Sequence, residues 1–91
     1  MKTIIVSSQF KKDLKRIQHN QAKIEKLKIV LTFLQTKGVV PSQYMPHLLT
    51  GKFKGYMECH IEGDFLLIWI NEDRDIIKLI RLGSHSELFK L

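Results

Sequence analysis

Hydrophobic positions along this chain change their period near the middle, from a helical repeat before Gly38 to strand alternation after Gly55. The opening Thr3-Ile4-Ile5-Val6 is β-branched and predicts a short strand. Ser7 or Ser8 can then serve as an N-cap. Phe10, Leu14 and Ile17 follow at helical spacing, with Lys11, Lys12, Lys15 and Arg16 mostly on the other side. His19-Asn20 breaks this helix, and Asn20 can cap a second one. There Ile24, Leu27, Leu31 and Leu34 form one stripe, broadened by Val30 and ending near Gly38. Two amphipathic helices joined so tightly predict an antiparallel hairpin.

Pro41, Pro46, Gly51 and Gly55 punctuate the next stretch, which reads mainly as loop. Tyr56 to Ile61 alternates, with Tyr56, Glu58 and His60 on one face and Met57, Cys59 and Ile61 on the other. Phe65 to Ile70 is apolar on both faces and suits a central strand, with Trp69 in the core. Ile76 to Leu82 places Ile76, Lys78, Ile80 and Leu82 on one face and Ile77, Leu79 and Arg81 on the other. Glu62-Gly63-Asp64 and Asn71 to Asp75 are turns of hairpin length. Gly83 ends the last strand, and Ser84 to Phe89 can form a short helical turn. The order β-α-α-β-β-β implies an α+β fold, an antiparallel sheet with both helices on one face.

A chain of 91 residues is expected to form one domain, 1–91, around one core. The longest apolar run, Phe65 to Ile70, is too short to span a bilayer, and Met1 to Val6 resembles a signal peptide only superficially. Cys59 is the single cysteine, so no intrachain disulfide is expected and a reducing cytoplasm is the natural setting. The net charge of +6 is unevenly spread. Residues 1–37 hold nine Lys and Arg against two acids, a net of +7, while residues 38–91 hold six against seven, a net of −1. The basic half reads either as a solvated helix surface or as a surface for phosphate backbone or an acidic protein partner.

Candidate chemistry gathers in the second half. His47 follows Pro46, His60 follows Glu58-Cys59 shortly before Asp64, and His85 follows Arg81-Leu82-Gly83-Ser84. Histidine exchanges protons near neutral pH. Imidazoles beside a carboxylate and an arginine suit acid–base attack on a phosphodiester. The face bearing Tyr56, Glu58 and His60 reads as a catalytic platform or as an ordinary outer face of a sheet. A metal site built from His47, His60, His85 and Asp64 is disfavoured, because no His-x-His or His-x-x-x-His pair anchors it. Cys59 reads as core rather than nucleophile. Lys52 and Lys54 flank Phe53, a basic-aromatic segment that suits a nucleic-acid strand unless Phe53 turns into the core. Phe89 faces the same choice.

Four segments together carry a family resemblance: Gly51-Lys52-Phe53-Lys54-Gly55-Tyr56, Glu58-Cys59-His60-Ile61, Asp64 to Trp69, and Arg81-Leu82-Gly83-Ser84-His85-Ser86-Glu87-Leu88-Phe89. The chain resembles the YafQ-type toxins of the RelE/ParE superfamily of bacterial toxin–antitoxin modules, across essentially its whole length. The resemblance implies a RelE-like fold and an endoribonuclease that cuts mRNA, usually at the ribosome. It implies no metal or other cofactor, and a cognate antitoxin as protein partner. It also implies site roles for His47, Glu58, His60, Asp64, His85 and Phe89, and base stacking by Phe65 where some members have tryptophan.

The resulting expectation is attack by the ribose 2′-OH. His85 serves as general acid and His60, assisted by Glu58, as general base, or the two roles are exchanged. His47 and Asp64 position phosphate or base, while Arg81 with Lys52 and Lys54 faces the developing charge. The alternatives are a ParE-like poison of DNA gyrase, which would not need three site histidines, and a plain RNA-binding module.

Overall fold

The computed structural model describes residues 1–89. Positions 90 and 91, which the single-domain expectation includes, lie outside the described residues. The elements are β1 (Thr3–Val6), α1 (Ser8–Ile17), α2 (Gln21–Lys37), β2 (His47–Leu48), β3 (Met57–Glu62), β4 (Phe65–Asn71), β5 (Ile76–Gly83) and α3 (His85–Leu88). Short 3-10 turns occupy Ser42–Tyr44 and Gly51–Phe53. No helix among the described residues is long and apolar enough to cross a membrane.

The predicted caps form. The Ser7 hydroxyl accepts from the Phe10 N–H at 2.9 Å, and the Asn20 side chain accepts from the Lys23 N–H at 3.1 Å. Gly38 ends α2 with φ +73°, its N–H donating to the Leu34 carbonyl.

The five strands lie in the order β1-β5-β4-β3-β2. The sheet is mixed rather than antiparallel throughout, because β1 pairs parallel with β5. Placing the first strand beside the last needs a long crossover, and the helical hairpin supplies it. A further correction concerns His47, expected in a loop: it lies in the two-residue strand β2, opposite Glu58.

Both sheet faces are covered. The helix-side face carries the main core, including Phe10, Leu27, Val30, Leu34, Cys59, Leu67, Trp69, Ile77 and Leu79. The other face holds a smaller cluster of Leu66, Ile68 and Leu88, edged by Leu49, Tyr56, Ile80 and Phe89. Five consecutive β4 residues, Phe65 to Trp69, are buried, as a central strand requires. On β5 the simple alternation fails. Ile68 pairs with Arg81 but Trp69 with Leu79, so Ile80 is an extra residue in a β-bulge. The bulge sends Leu82 to the helix side with Ile77 and Leu79, and puts Arg81 on the opposite face.

Candidate active site

Directly paired residues on neighbouring strands share a face. One row of pairs runs His47, Glu58, Ile68, Arg81, and the next runs His60, Leu66, Gly83. The face opposite the helices therefore gathers His47, Glu58, His60 and Arg81, and α3 brings His85 and Phe89 beside them. Gly83 makes that approach possible. Its φ is +155°, and a Cβ there would meet the Glu87 Oε1 at 2.7 Å. Ser84 and Glu87 then form a reciprocal capping box that sets the start of α3.

The rings form a continuous line. His47 lies 6.1 Å from His60 and His60 5.9 Å from His85, centroid to centroid. His85 lies 5.9 Å from Phe89, and Phe89 meets Phe53 edge-on at 5.3 Å. Lys52 and Lys54 are exposed on either side of Phe53. The basic-aromatic segment thus borders the histidines, with Phe53 and Phe89 half-buried.

Hydrogen bonds distinguish the three imidazoles. His85 Nδ1 donates to Asp64 Oδ1 at 2.7 Å, and the same oxygen accepts the His85 backbone N–H at 2.9 Å. These bonds, with the charges of His85 and His60, hold the Asp64 carboxyl below its ordinary range. His60 Nδ1 donates to the Gly63 carbonyl at 3.1 Å. In both rings Nε2 has no hydrogen-bond partner among the described residues. His47 differs, since Nδ1 faces the Met45 carbonyl at 2.9 Å and Nε2 faces Glu58 Oε1 at 3.1 Å. Met45 adopts φ +51°, unusual outside glycine, as it delivers its carbonyl.

Several expected placements change. Glu58 was expected on an open face assisting His60; it is buried, 2 % exposed, and its partner is His47. Leu49, Tyr56 and Phe89 pack with Leu66, Ile68 and Leu88 on that face. Glu58 Oε2 has no hydrogen-bond partner among the described residues. Asp64 binds His85 through Oδ1, and its side chain stays 61% exposed. Phe65 was expected to stack on a base; it is 5 % exposed, packs in the helix-side core, and lies under the Lys23 ammonium at 5.1 Å. The reason is strand parity: Leu66, not Phe65, pairs with His60, so Phe65 points the other way. Arg81 lies on the site face, but its guanidinium is clasped by Asp13.

Asp13 is the residue that sequence reasoning missed. It is 1 % exposed and accepts from Gln9, Arg16, Arg81 and the Leu82 N–H. Burial pushes its carboxyl up, but hydrogen bonds from Arg81, Leu82 and Gln9, with the Arg81 charge, outweigh burial and hold it low. The signal was present, because Asp13 falls three residues after Phe10 on the apolar stripe, the lone acid among four cations. Cys59 is buried as expected, and burial followed by the Glu58 charge pushes its thiol up to about 12.

The fold and site define a small α+β domain with two imidazole–carboxylate pairs and a basic-aromatic border on one sheet face. Residues 2–90 match the family described as "Bacterial toxin of type II toxin-antitoxin system, YafQ". The chain belongs to this family. It is 36% identical over 84 residues to the mRNA interferase toxin YafQ of Escherichia coli K12, covering 91% of this chain and 90% of that one. The E. coli DinJ–YafQ complex contains a similar chain, with TM-score 0.84, 33% identity, and coverage of 98% here and 99% there. A metal-bound toxin from Helicobacter pylori superposes with TM-score 0.85 at 39% identity, covering 98% of this chain and all of that one. In the present chain no group of three or more His, Cys, Asp or Glu among the described residues is arranged to hold an ion.

Proposed function

We propose that this toxin is a metal-independent endoribonuclease that cleaves mRNA at the ribosome in the cytoplasm and is silenced by a cognate antitoxin. The observation that carries the reading is the pair His60 and His85, neighbouring imidazoles whose Nε2 atoms have no hydrogen-bond partner among the described residues. Each ring is oriented through Nδ1 by a different partner. The Gly63 carbonyl binds His60 through Nδ1 and leaves Nε2 to take the accepting role. The Asp64 carboxylate binds His85 through Nδ1 and leaves Nε2 to take the donating role.

In this mechanism His60 Nε2 removes the ribose 2′-OH proton, and the 2′-oxygen attacks the adjacent phosphorus. The bond from phosphorus to the 5′-oxygen breaks, and His85 Nε2–H protonates the departing oxygen. The products are a 2′,3′-cyclic phosphate and a 5′-hydroxyl. His47, held between Glu58 and Met45, positions the phosphate or the base. Lys52 and Lys54 hold neighbouring phosphates, and Phe53 and Phe89 offer ring faces to bases.

Lys11, Lys12 and Lys15 are exposed on α1. Arg16, expected among these free cations, instead contacts Asp13 at 2.6 Å and approaches Glu87 at 3.7 Å. Lys11, Lys15 and Lys28 frame an apolar groove floored by Leu14, Leu27 and Leu31. That combination suits an antitoxin segment with one apolar and one acidic face. Without antitoxin, the same lysines bind ribosomal RNA phosphates.

The test is cleavage of mRNA, with and without translating ribosomes, by His60→Ala and His85→Ala. Each variant should remain folded by circular dichroism and lose about 10²–10⁴-fold in rate. Near-wild-type cleavage by either would remove it from the proton-transfer steps.

A further inference from the structure

The pairing of β1 with β5 stops at Val6 opposite Leu79, which leaves the last residues of β5 without a neighbouring strand on that edge. Helix α1 fills the gap with side chains. The Ser7 hydroxyl donates to the Ile80 carbonyl at 2.8 Å, and Asp13 Oδ2 accepts the Leu82 N–H at 2.9 Å. One neutral acceptor would satisfy that N–H. Asp13 does more. Its two oxygens also take Arg81 Nε at 2.8 Å and Arg81 Nη2 at 3.3 Å, a two-point clasp on one guanidinium.

Arginine carries five N–H donors in a rigid fork. The clasp uses two, and Nη1 makes no hydrogen bond among the described residues. Arg81 shares its face with Glu58 and His47 through the cross-strand row and keeps 21% of its side chain exposed. A fork pinned along one edge, with its other donors uncommitted, is preorganised for an anion. Arg16 extends the same network from Asp13 toward Glu87, the capping residue of the helix that carries His85.

We propose that Asp13 is a positioning residue for catalysis: it fixes the Arg81 guanidinium on the histidine face so that its free N–H groups meet the phosphate being cut. The proposal rests on the reading of that face as the RNA-cleaving site. It assigns a function to the one buried acid of an otherwise cationic helix. Asp13 touches no substrate and acts only through Arg81.

A double-mutant cycle in the full chain tests it, with rates on a short RNA measured above and below saturation. Arg81→Gln should lower kcat by about 10²-fold or more, as loss of a charge-stabilising donor does. Asp13→Asn, which keeps an acceptor for Leu82, should lower kcat by about 10-fold to 10²-fold with KM nearly unchanged. In the Arg81→Gln background the same substitution should cost less than about twofold, because its effect passes through a group already removed. If Asp13→Asn costs the same factor in both backgrounds, or costs nothing while Arg81→Gln is impaired, the proposal is overturned and the RNA-cleavage reading stands. If no variant or wild type cleaves RNA, the underlying reading fails instead. Should Asp13→Asn not fold, the wild-type Arg81 Nε–H signal in NMR decides. Slow exchange relative to exposed Arg74 is expected, and exchange as fast as that of Arg74 would overturn the clasp.

Discussion

Asp13→Ala should be among the most destabilising single substitutions of a polar residue in this chain. The carboxylate is 1 % exposed and accepts five hydrogen bonds, from Gln9 Nε2, Arg16 Nη2, Arg81 Nε and Nη2, and the Leu82 N–H. Alanine leaves the Leu82 N–H without an acceptor and Arg81 without its counter-charge. Removing one partner of a buried ion pair costs about 3–5 kcal/mol. The side chains of Arg81 and Arg16 are 21% and 47% exposed and regain water, so a loss of about 2–4 kcal/mol is expected. In a domain of this size that lowers Tm by about 10 °C or more. The pH dependence has a definite sign. The folded Asp13 carboxyl lies below its unfolded value of about 3.9, so its contribution is complete above that value and is lost as pH falls through the folded one. The gap between wild type and Asp13→Ala should thus be constant near neutrality and close on acidification. Urea unfolding at pH 7 and at pH 3 measures both. A loss below about 1 kcal/mol at pH 7, or a gap that widens in acid, would refute the reasoning.

Two more expectations separate binding from chemistry and core from surface. Replacing Lys11, Lys12 and Lys15 with glutamine should weaken ribosome binding and flatten its salt dependence by about 0.7–0.9 per lost phosphate contact, while saturating cleavage of a short RNA changes little; a large fall in that short-RNA rate at unchanged ribosome affinity would place the lysines on the catalytic surface. Phe65→Ala should cost about 3–5 kcal/mol of stability, as a core aromatic does, and equilibrium unfolding within about 1 kcal/mol of wild type would return Phe65 to the surface.

Most of the fold was legible because local signals agreed: Ser7 and Asn20 cap the helices, Gly38 ends the second, and β4 is apolar on both faces. The parallel partnership of β1 with β5 was not, since no local pattern states which strand a β-branched segment joins. Period-2 reasoning held on β3 from Met57 to Ile61 and failed on β5, where one bulged residue exchanges the faces of everything beyond it. At the site, the resemblance and the residue types named the three histidines that the sheet and α3 bring together. Partnerships were harder. Glu58 lies two residues from His60 in sequence, but two residues apart along a strand is about 7 Å, whereas His47 on the neighbouring strand faces it directly. Asp13 was overlooked because its neighbours in sequence are lysines, while its partners in space lie 68 and 69 residues away.

The most direct test of histidine-driven cleavage is the chemistry of the cut ends, determined on a defined RNA in the presence of EDTA. Attack by the 2′-OH with His60 and His85 exchanging the protons leaves a 2′,3′-cyclic phosphate and a 5′-hydroxyl, and leaves an RNA with 2′-deoxyribose at the scissile position uncut. A 3′-hydroxyl with a 5′-phosphate, abolition of cleavage by EDTA, or efficient cutting of the deoxy substrate would contradict it.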